Sequence, residues 1–89
     1  MDQERYELRI TTSAQKELDR LPNTQRSRVE TAILNLADNP RPRGCKKLQG
    51  IENTYRIRMG NYRVIYRIDD NQLVVLIVRV GDRKDVYRS

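Results

Sequence analysis

The sequence predicts an α+β fold: an N-terminal strand, a helical hairpin, then a three-stranded antiparallel meander. Both helices are expected on one face of a four-stranded sheet. Three observations predict it. Residues 4–10 alternate polar and apolar side chains. Residues 13–37 carry apolar positions at helical spacing, divided by a proline. Residues 54–80 return to strand patterning, punctuated by short polar turns.

The first strand runs from Glu4 to Ile10. Tyr6, Leu8 and Ile10 face one way; Arg5, Glu7 and Arg9 face the other. Thr11, Thr12 or Ser13 can cap the helix that follows. Ala14, Leu18 and Leu21 recur at helical spacing, so a short amphipathic helix spans Ser13 to about Leu21, and Pro22 stops it. Asn23 or Thr24 is expected to cap a second helix. Its apolar stripe is Val29, Ala32, Ile33, Leu36 and Ala37. Asp38-Asn39-Pro40 ends it, because a residue before proline disfavours the helical region. A basic loop, Arg41 to Lys47, follows, and Leu48 is expected to tuck in.

Gly60-Asn61 sits between two alternating segments and reads as a tight hairpin turn. A two-residue loop sets the partners: Met59 with Tyr62, Arg58 with Arg63, Ile57 with Val64, Arg56 with Ile65, Tyr55 with Tyr66. Strand alternation sorts these onto two faces. Tyr55, Ile57, Met59, Tyr62, Val64 and Tyr66 form a core face. Arg56, Arg58, Arg63 and Arg67 form the other, with Ile65 between them, and this face is expected to lie open. After a turn at Asp69-Asp70-Asn71, Leu73 to Val80 is almost continuously apolar, as in a central strand covered on both sides. Its parity depends on the turn and is not readable. Arg79 interrupts the run; an acidic partner would account for it, and the sequence names none. Gly81-Asp82 is expected to break the strand.

Eighty-nine residues make one domain, 1–89, with a modest core. The N-terminal residues are charged and resemble no signal peptide, and no apolar run approaches the ~20 residues of a membrane span. The single cysteine, Cys45, allows no internal disulfide and suits a reducing cytoplasm. The absence of histidine removes Ser-His and Cys-His catalysis, the usual ribonuclease proton-transfer pair and most zinc sites. No metal or other cofactor is expected.

The net charge is +6, unevenly spread. Residues 1–40 hold six Lys/Arg against seven Asp/Glu; residues 41–89 hold twelve against five. Fourteen of the eighteen basic residues are arginine, which binds phosphate oxygens bidentately and stacks on bases. Arg58 opposite Arg63 is unfavourable for folding, since like charges across a ladder repel. A bound polyanion would offset that. Arg43, Lys46, Lys47, Arg67 and Lys84 are further candidates for contact with a nucleic-acid backbone.

Three motifs then occur in order: Tyr55-Arg56-Ile57-Arg58, Gly60-Asn61-Tyr62-Arg63-Val64-Ile65-Tyr66, and Val80-Gly81-Asp82-Arg83-Lys84-Asp85-Val86-Tyr87. In a small basic chain with a helical hairpin before them, they resemble the RelE/ParE superfamily of bacterial toxins, most closely its RelE branch. The resemblance implies a ribosome-dependent endoribonuclease that cuts mRNA in the ribosomal A site. It also implies a cognate RelB-like antitoxin, expected to be acidic, that holds the toxin inactive in a hetero-oligomer. Carried over residue by residue, it implies catalytic roles for Arg56, Arg58, Arg63, Arg83 and Tyr87. Many relatives have lysine where this chain has Arg56 and Arg58, so proton transfer there is disfavoured while phosphate binding is kept. The RNA 2′-hydroxyl would be the nucleophile, the arginines would neutralise the phosphorane, and Tyr87 would act as base or stacking platform. Two other readings stay open at this stage: a ParE-like gyrase inhibitor on the same fold, and a nucleic-acid-binding module without activity.

Overall fold

The computed structural model describes residues 5–82. The chain runs β1 (Glu7–Ile10), α1 (Thr12–Asp19), α2 (Asn23–Asn35), β2 (Lys46–Lys47), β3 (Thr54–Met59), β4 (Tyr62–Asp69), β5 (Val74–Asp82). The strands form one mixed sheet in the order β1-β5-β4-β3-β2. Only β1 on β5 is parallel. The sheet thus has five strands among the described residues, not four. The extra one is Lys46–Lys47, expected as loop, which pairs with Tyr55 and Arg56 at the edge of β3.

Both helices cover one sheet face, as expected. Ala14 and Leu18 of α1 and Val29 and Ile33 of α2 pack with Leu36 against Ile57, Val64, Tyr66, Ile68, Val75, Ile77 and Val80. Thr11 is the α1 cap, its Oγ1 accepting the Ala14 N–H at 3.0 Å. The second cap differs from expectation. Pro22 holds that position without a side-chain bond, and Asn23 is already helical. The Asn23 carboxamide instead accepts from the Arg26 guanidinium at 2.9 Å. Leu36 and Ala37 lie past the helix end and are nonetheless buried.

The hairpin register is the one expected, from Met59↔Tyr62 through Tyr55↔Tyr66. Gly60 has φ 57 while Asn61 stays outside the left-handed region, the arrangement of a type II′ turn. At the next turn the Asp69 carboxylate accepts the backbone N–H groups of Asn71 and Gln72, both at 3.0 Å. Leu73 takes φ 56 to finish that turn, so β5 starts at Val74 rather than Leu73. It also continues through Gly81-Asp82, because β4 still offers partners there: Gly81 lies opposite Arg63 and Asp82 opposite Tyr62.

The parity of β5 is set by a bulge. Tyr66 pairs Ile77 and Ile65 pairs Arg79, which leaves Val78 as the extra residue. Val75, Ile77 and Val80 can therefore all face the helices. β1 ends beside Ile77, so β5 has no strand neighbour on that side beyond it. Glu17 of α1 takes over. Its carboxylate accepts the Val80 N–H at 2.8 Å and the Arg79 Nε–H at 3.2 Å. This is the acidic partner that Arg79 calls for. Glu17→Ala leaves the N–H of fully buried Val80 unmatched and is expected to cost about 1–3 kcal/mol in urea unfolding. Glu17→Gln, which keeps an acceptor, is expected to cost less. Equal losses in both variants would contradict this account.

Candidate nucleic-acid interface

The arginine face is built by the β3–β4 hairpin, on the sheet side away from the helices. Alternation puts Arg56 and Arg58 of β3 and Arg63 and Arg67 of β4 on that side, with Arg58 directly opposite Arg63. Lys46, opposite Arg56, carries the same face onto β2. Lys47 falls opposite Tyr55 and so belongs to the helix side. Arg43 is exposed in the loop before β2, outside the sheet. Arg83, Lys84 and Tyr87 lie outside the described residues.

The expectation of a wholly open face needs correction. Arg58 and Arg67 are exposed, but Arg63 is 2 % accessible, Arg56 9 % and Ile65 8 %. A buried guanidinium must exchange water for protein partners, and Arg63 is engaged with other groups of the protein. The face is thus graded: a buried inner pair, Arg56 and Arg63, beside two outer arginines, Arg58 and Arg67. The inner guanidiniums are shielded from water; the outer ones remain available.

Four carboxylates are paired away from the Arg58–Arg63 rung. Among the described residues the ion pairs are Arg5–Asp38 (2.8 Å), Arg9–Glu7 (2.7 Å), Arg41–Asp70 (2.9 Å) and Arg79–Glu17 (3.2 Å). None uses Arg56, Arg58 or Arg67. Arg58 and Arg67, the exposed arginines of the hairpin face, thus have no described carboxylate, while Arg41 and Arg79 are matched. Such a surface attracts and orients an anion in proportion to its phosphates.

Arg41 was not singled out by its sequence context, and the structure gives it a position of consequence. Its guanidinium binds Asp70 through two nitrogens, at 3.3 and 2.9 Å, donates to the Tyr55 hydroxyl at 3.2 Å, and lies 5.1 Å from the centre of the Tyr55 ring. The Tyr6 hydroxyl donates to the same carboxylate at 2.6 Å. Hydrogen bonds from Arg41 and then Tyr6 hold the Asp70 carboxyl below the usual range. The bond to Asp70 raises the Tyr6 hydroxyl above its ordinary value. Arg41 thereby ties the loop leading into β2 to the β4–β5 turn, which steadies Lys46 beside Arg56. Its partner lies 29 residues away, so no local pattern announces it.

With no histidine in the chain and no metal-ligating cluster among the described residues, this face presents fixed positive charge and hydrogen-bond donors. That suits holding phosphates and stabilising charge that develops on them.

Comparisons with known proteins agree on one group. A family model described as the ParE toxin of type II toxin–antitoxin systems, parDE, matches residues 8–87. Toxin RelG of Mycobacterium tuberculosis is 38% identical over 84 residues, covering 93% of this chain and 97% of that protein. The mRNA interferase toxin RelE of Escherichia coli K12 is 30% identical, covering 92% and 90%. Among solved structures, the archaeal RelE–RelB complex of Pyrococcus horikoshii contains a chain similar at TM-score 0.79 and 30% identity, with 94% of this chain and 98% of that one covered. The RelBE2 toxin–antitoxin complex of Mycobacterium tuberculosis contains another, at TM-score 0.77 and 36% identity, with 89% and 99% covered.

Proposed function

The chain belongs to the RelE/ParE superfamily of type II toxin–antitoxin toxins, on its RelE branch, and from this premise we propose that it cuts mRNA on the ribosome. The observation that carries the reading is Arg58 directly opposite Arg63 on a face where Arg56, Arg58 and Arg67 have no described carboxylate. Exposed arginines without a carboxylate on a sheet face suit a phosphodiester.

In the proposed reaction the 2′-hydroxyl of the RNA attacks the adjacent phosphorus. The 2′-proton passes to Tyr87 as phenolate or to water, the bond to the 5′-oxygen breaks, that oxygen takes a proton from water, and a cyclic phosphate is left on the upstream fragment. No metal takes part. Exposed Arg58 binds the phosphate and neutralises the charge that grows on its oxygens, and the buried Arg56 and Arg63 add fixed positive charge beside it. Arg83 and Tyr87, assigned by motif, complete the site: Arg83 as a further fixed charge, Tyr87 as proton acceptor or stacking surface. A guanidinium keeps its proton at neutral pH, so none of these arginines is assigned as general acid. The ribosome supplies the alignment of the RNA for in-line attack, which this residue set does not supply.

The partner class follows the same branch. Solved relatives include complexes of RelE with RelB antitoxins. An acidic antitoxin on this chain is supported by its unmatched arginines and by β1 and β2, which each have one side unpaired among the described strands.

A second reading is favoured by the ParE description of the family model: inhibition of DNA gyrase. A protein–protein inhibitor does not require the arginine pair, so the nuclease is the stronger reading. The test is primer extension on one mRNA in a reconstituted translation system, with and without ribosomes, followed by a message carrying one 2′-deoxynucleotide at a mapped cut. Ribosome-dependent cuts that vanish at the deoxy position are expected. Cutting at that position would overturn the 2′-hydroxyl mechanism. No cuts on any message, with loss of gyrase supercoiling, would replace the nuclease by the second reading.

A further inference from the structure

A concavity lies on the arginine side of the sheet, away from the Arg58–Arg63 rung. It is a cleft of about 300 Å³ at the β4–β5 turn end. Register places Arg67, Leu76 and Arg9 side by side across β4, β5 and β1, with Asp69 and Val74 on the next rung. Leu76 and Val74 make an apolar floor, and the two arginines stand on either side of it. Asn53 and Gln72 close the rim.

The chemistry differs from that of the arginine rungs. Arg9 is matched by Glu7 at 2.7 Å, and Asp69 lies in the lining, so the cleft is close to neutral. A phosphate gains little there. The polar groups suit a nucleobase. Among the described residues, the carboxamides of Asn53 and Gln72 make no side-chain hydrogen bond. Asp69 uses Oδ1 for the turn and leaves Oδ2 unbound. Carboxamides pair with the donor and acceptor edges of bases, and a carboxylate accepts from an exocyclic amino group. The Arg67 guanidinium and the apolar floor provide stacking surface. Asn53 is held in place: its carbonyl accepts the Ile68 N–H at 2.9 Å, with φ 56.

The spacing also fits one strand. Arg67 lies four residues along β4 from Arg63, about 13 Å at strand rise, which a stacked single strand covers in about four nucleotides and an extended one in fewer. We infer that this cleft binds one unpaired nucleobase of the same RNA whose phosphate sits at Arg58, opposite Arg63, and so sets which sequences are cut. The inference rests on the nuclease reading above. Its ligand is a base with an exocyclic amino group: cytosine, adenine or guanine rather than uracil.

The test compares cleavage profiles over several messages in the reconstituted translation system. The proteins are wild type, Gln72→Ala, and Gln72→Ala with Asn53→Gly, which keeps the positive φ. The expected result is a changed ranking of cut sites. Preference for amino-bearing bases at one fixed offset from the cut should fall at least about fivefold, the value of one lost bidentate base contact. An unchanged ranking overturns the cleft while leaving the nuclease standing. A uniform loss at every site, with no change in ranking, also overturns base reading. A wild-type protein that makes no cuts overturns the nuclease reading itself. Since Gln72 is exposed in a turn, the single variant keeps the test valid even where the double variant does not fold.

Discussion

Arg58→Ala is expected to lower cleavage of ribosome-bound mRNA about 10²–10³-fold, the range for removing one preorganised donor to a developing oxyanion. The same change is expected to leave stability within about 1 kcal/mol of wild type. Arg58 is exposed and makes no described ion pair, so its loss opens no cavity. It also relieves the repulsion across the rung with Arg63, which offsets the weaker strand preference of alanine. The two measurements together carry the argument: primer extension for activity, urea unfolding for stability. A residue retained for structure would lose stability on truncation, and one retained for solubility would leave cleavage intact. Arg58→Lys keeps the charge but not the planar fork, and is expected to fall between wild type and alanine. Full activity in Arg58→Ala would remove this rung from the site.

Tyr66→Ala is expected to leave little folded protein. Tyr66 is fully buried at the centre of β4, stacks on Tyr55 with ring centres 6.1 Å apart, and donates its hydroxyl to the Pro40 carbonyl at 2.7 Å. Truncating a buried aromatic costs about 3–5 kcal/mol, against a total of about 4–13 kcal/mol for a chain of this length. Tyr66→Phe removes only the hydroxyl and leaves the Pro40 carbonyl without that donor, at about 1–3 kcal/mol. The pH dependence separates the two contributions. Burial, with the Cys45 thiol adding to it, raises the Tyr66 hydroxyl well above its ordinary value near 10. A raised value means the fold favours the protonated form. That stability is fully present below pH 10 and is lost as the pH climbs through the folded value. Wild type is therefore expected to weaken steeply in alkali, by up to about 1.4 kcal/mol per pH unit for this group. Tyr66→Phe should start lower at pH 8 and fall less between pH 10 and 12. Urea unfolding across that range checks it; equal slopes in both proteins would contradict the assignment.

The hairpin shows how much of this protein can be read without coordinates. Gly60-Asn61 permits a two-residue turn, and a two-residue turn leaves one register. Every pair from Met59↔Tyr62 to Tyr55↔Tyr66 followed from that, including the rung that joins Arg58 to Arg63. The helices were legible for a similar reason: spacing near 3.6 from Ala14 to Ala37, with Pro22 between. Turn chemistry and periodicity act over a few residues, so they survive in the linear order. The family resemblance rested on the same local motifs.

The start of α2 departs from the expected one for a local reason: Pro22 stands at the cap and Asn23 is already helical, its carboxamide on Arg26. Distant encounters were not legible. The parity of β5 depends on the bulge at Val78, which lets an apolar run keep Val75, Ile77 and Val80 inward while Arg79 turns to Glu17. Neither β1 lying parallel to β5, nor Lys46–Lys47 joining the sheet, nor the contact of Arg41 with Asp70 has a signature near its own residues. The same holds for the grading of the arginine face. Alternation places Arg56, Arg58, Arg63 and Arg67 on one side, but which of them water can reach depends on what packs over each. Local sequence thus determined the helices, the longer strands, the hairpin and the side on which charge collects. Tertiary packing alone decided the sheet order, the partner of each charge and the division of the arginines into buried and open, because those are settled by groups far apart along the chain.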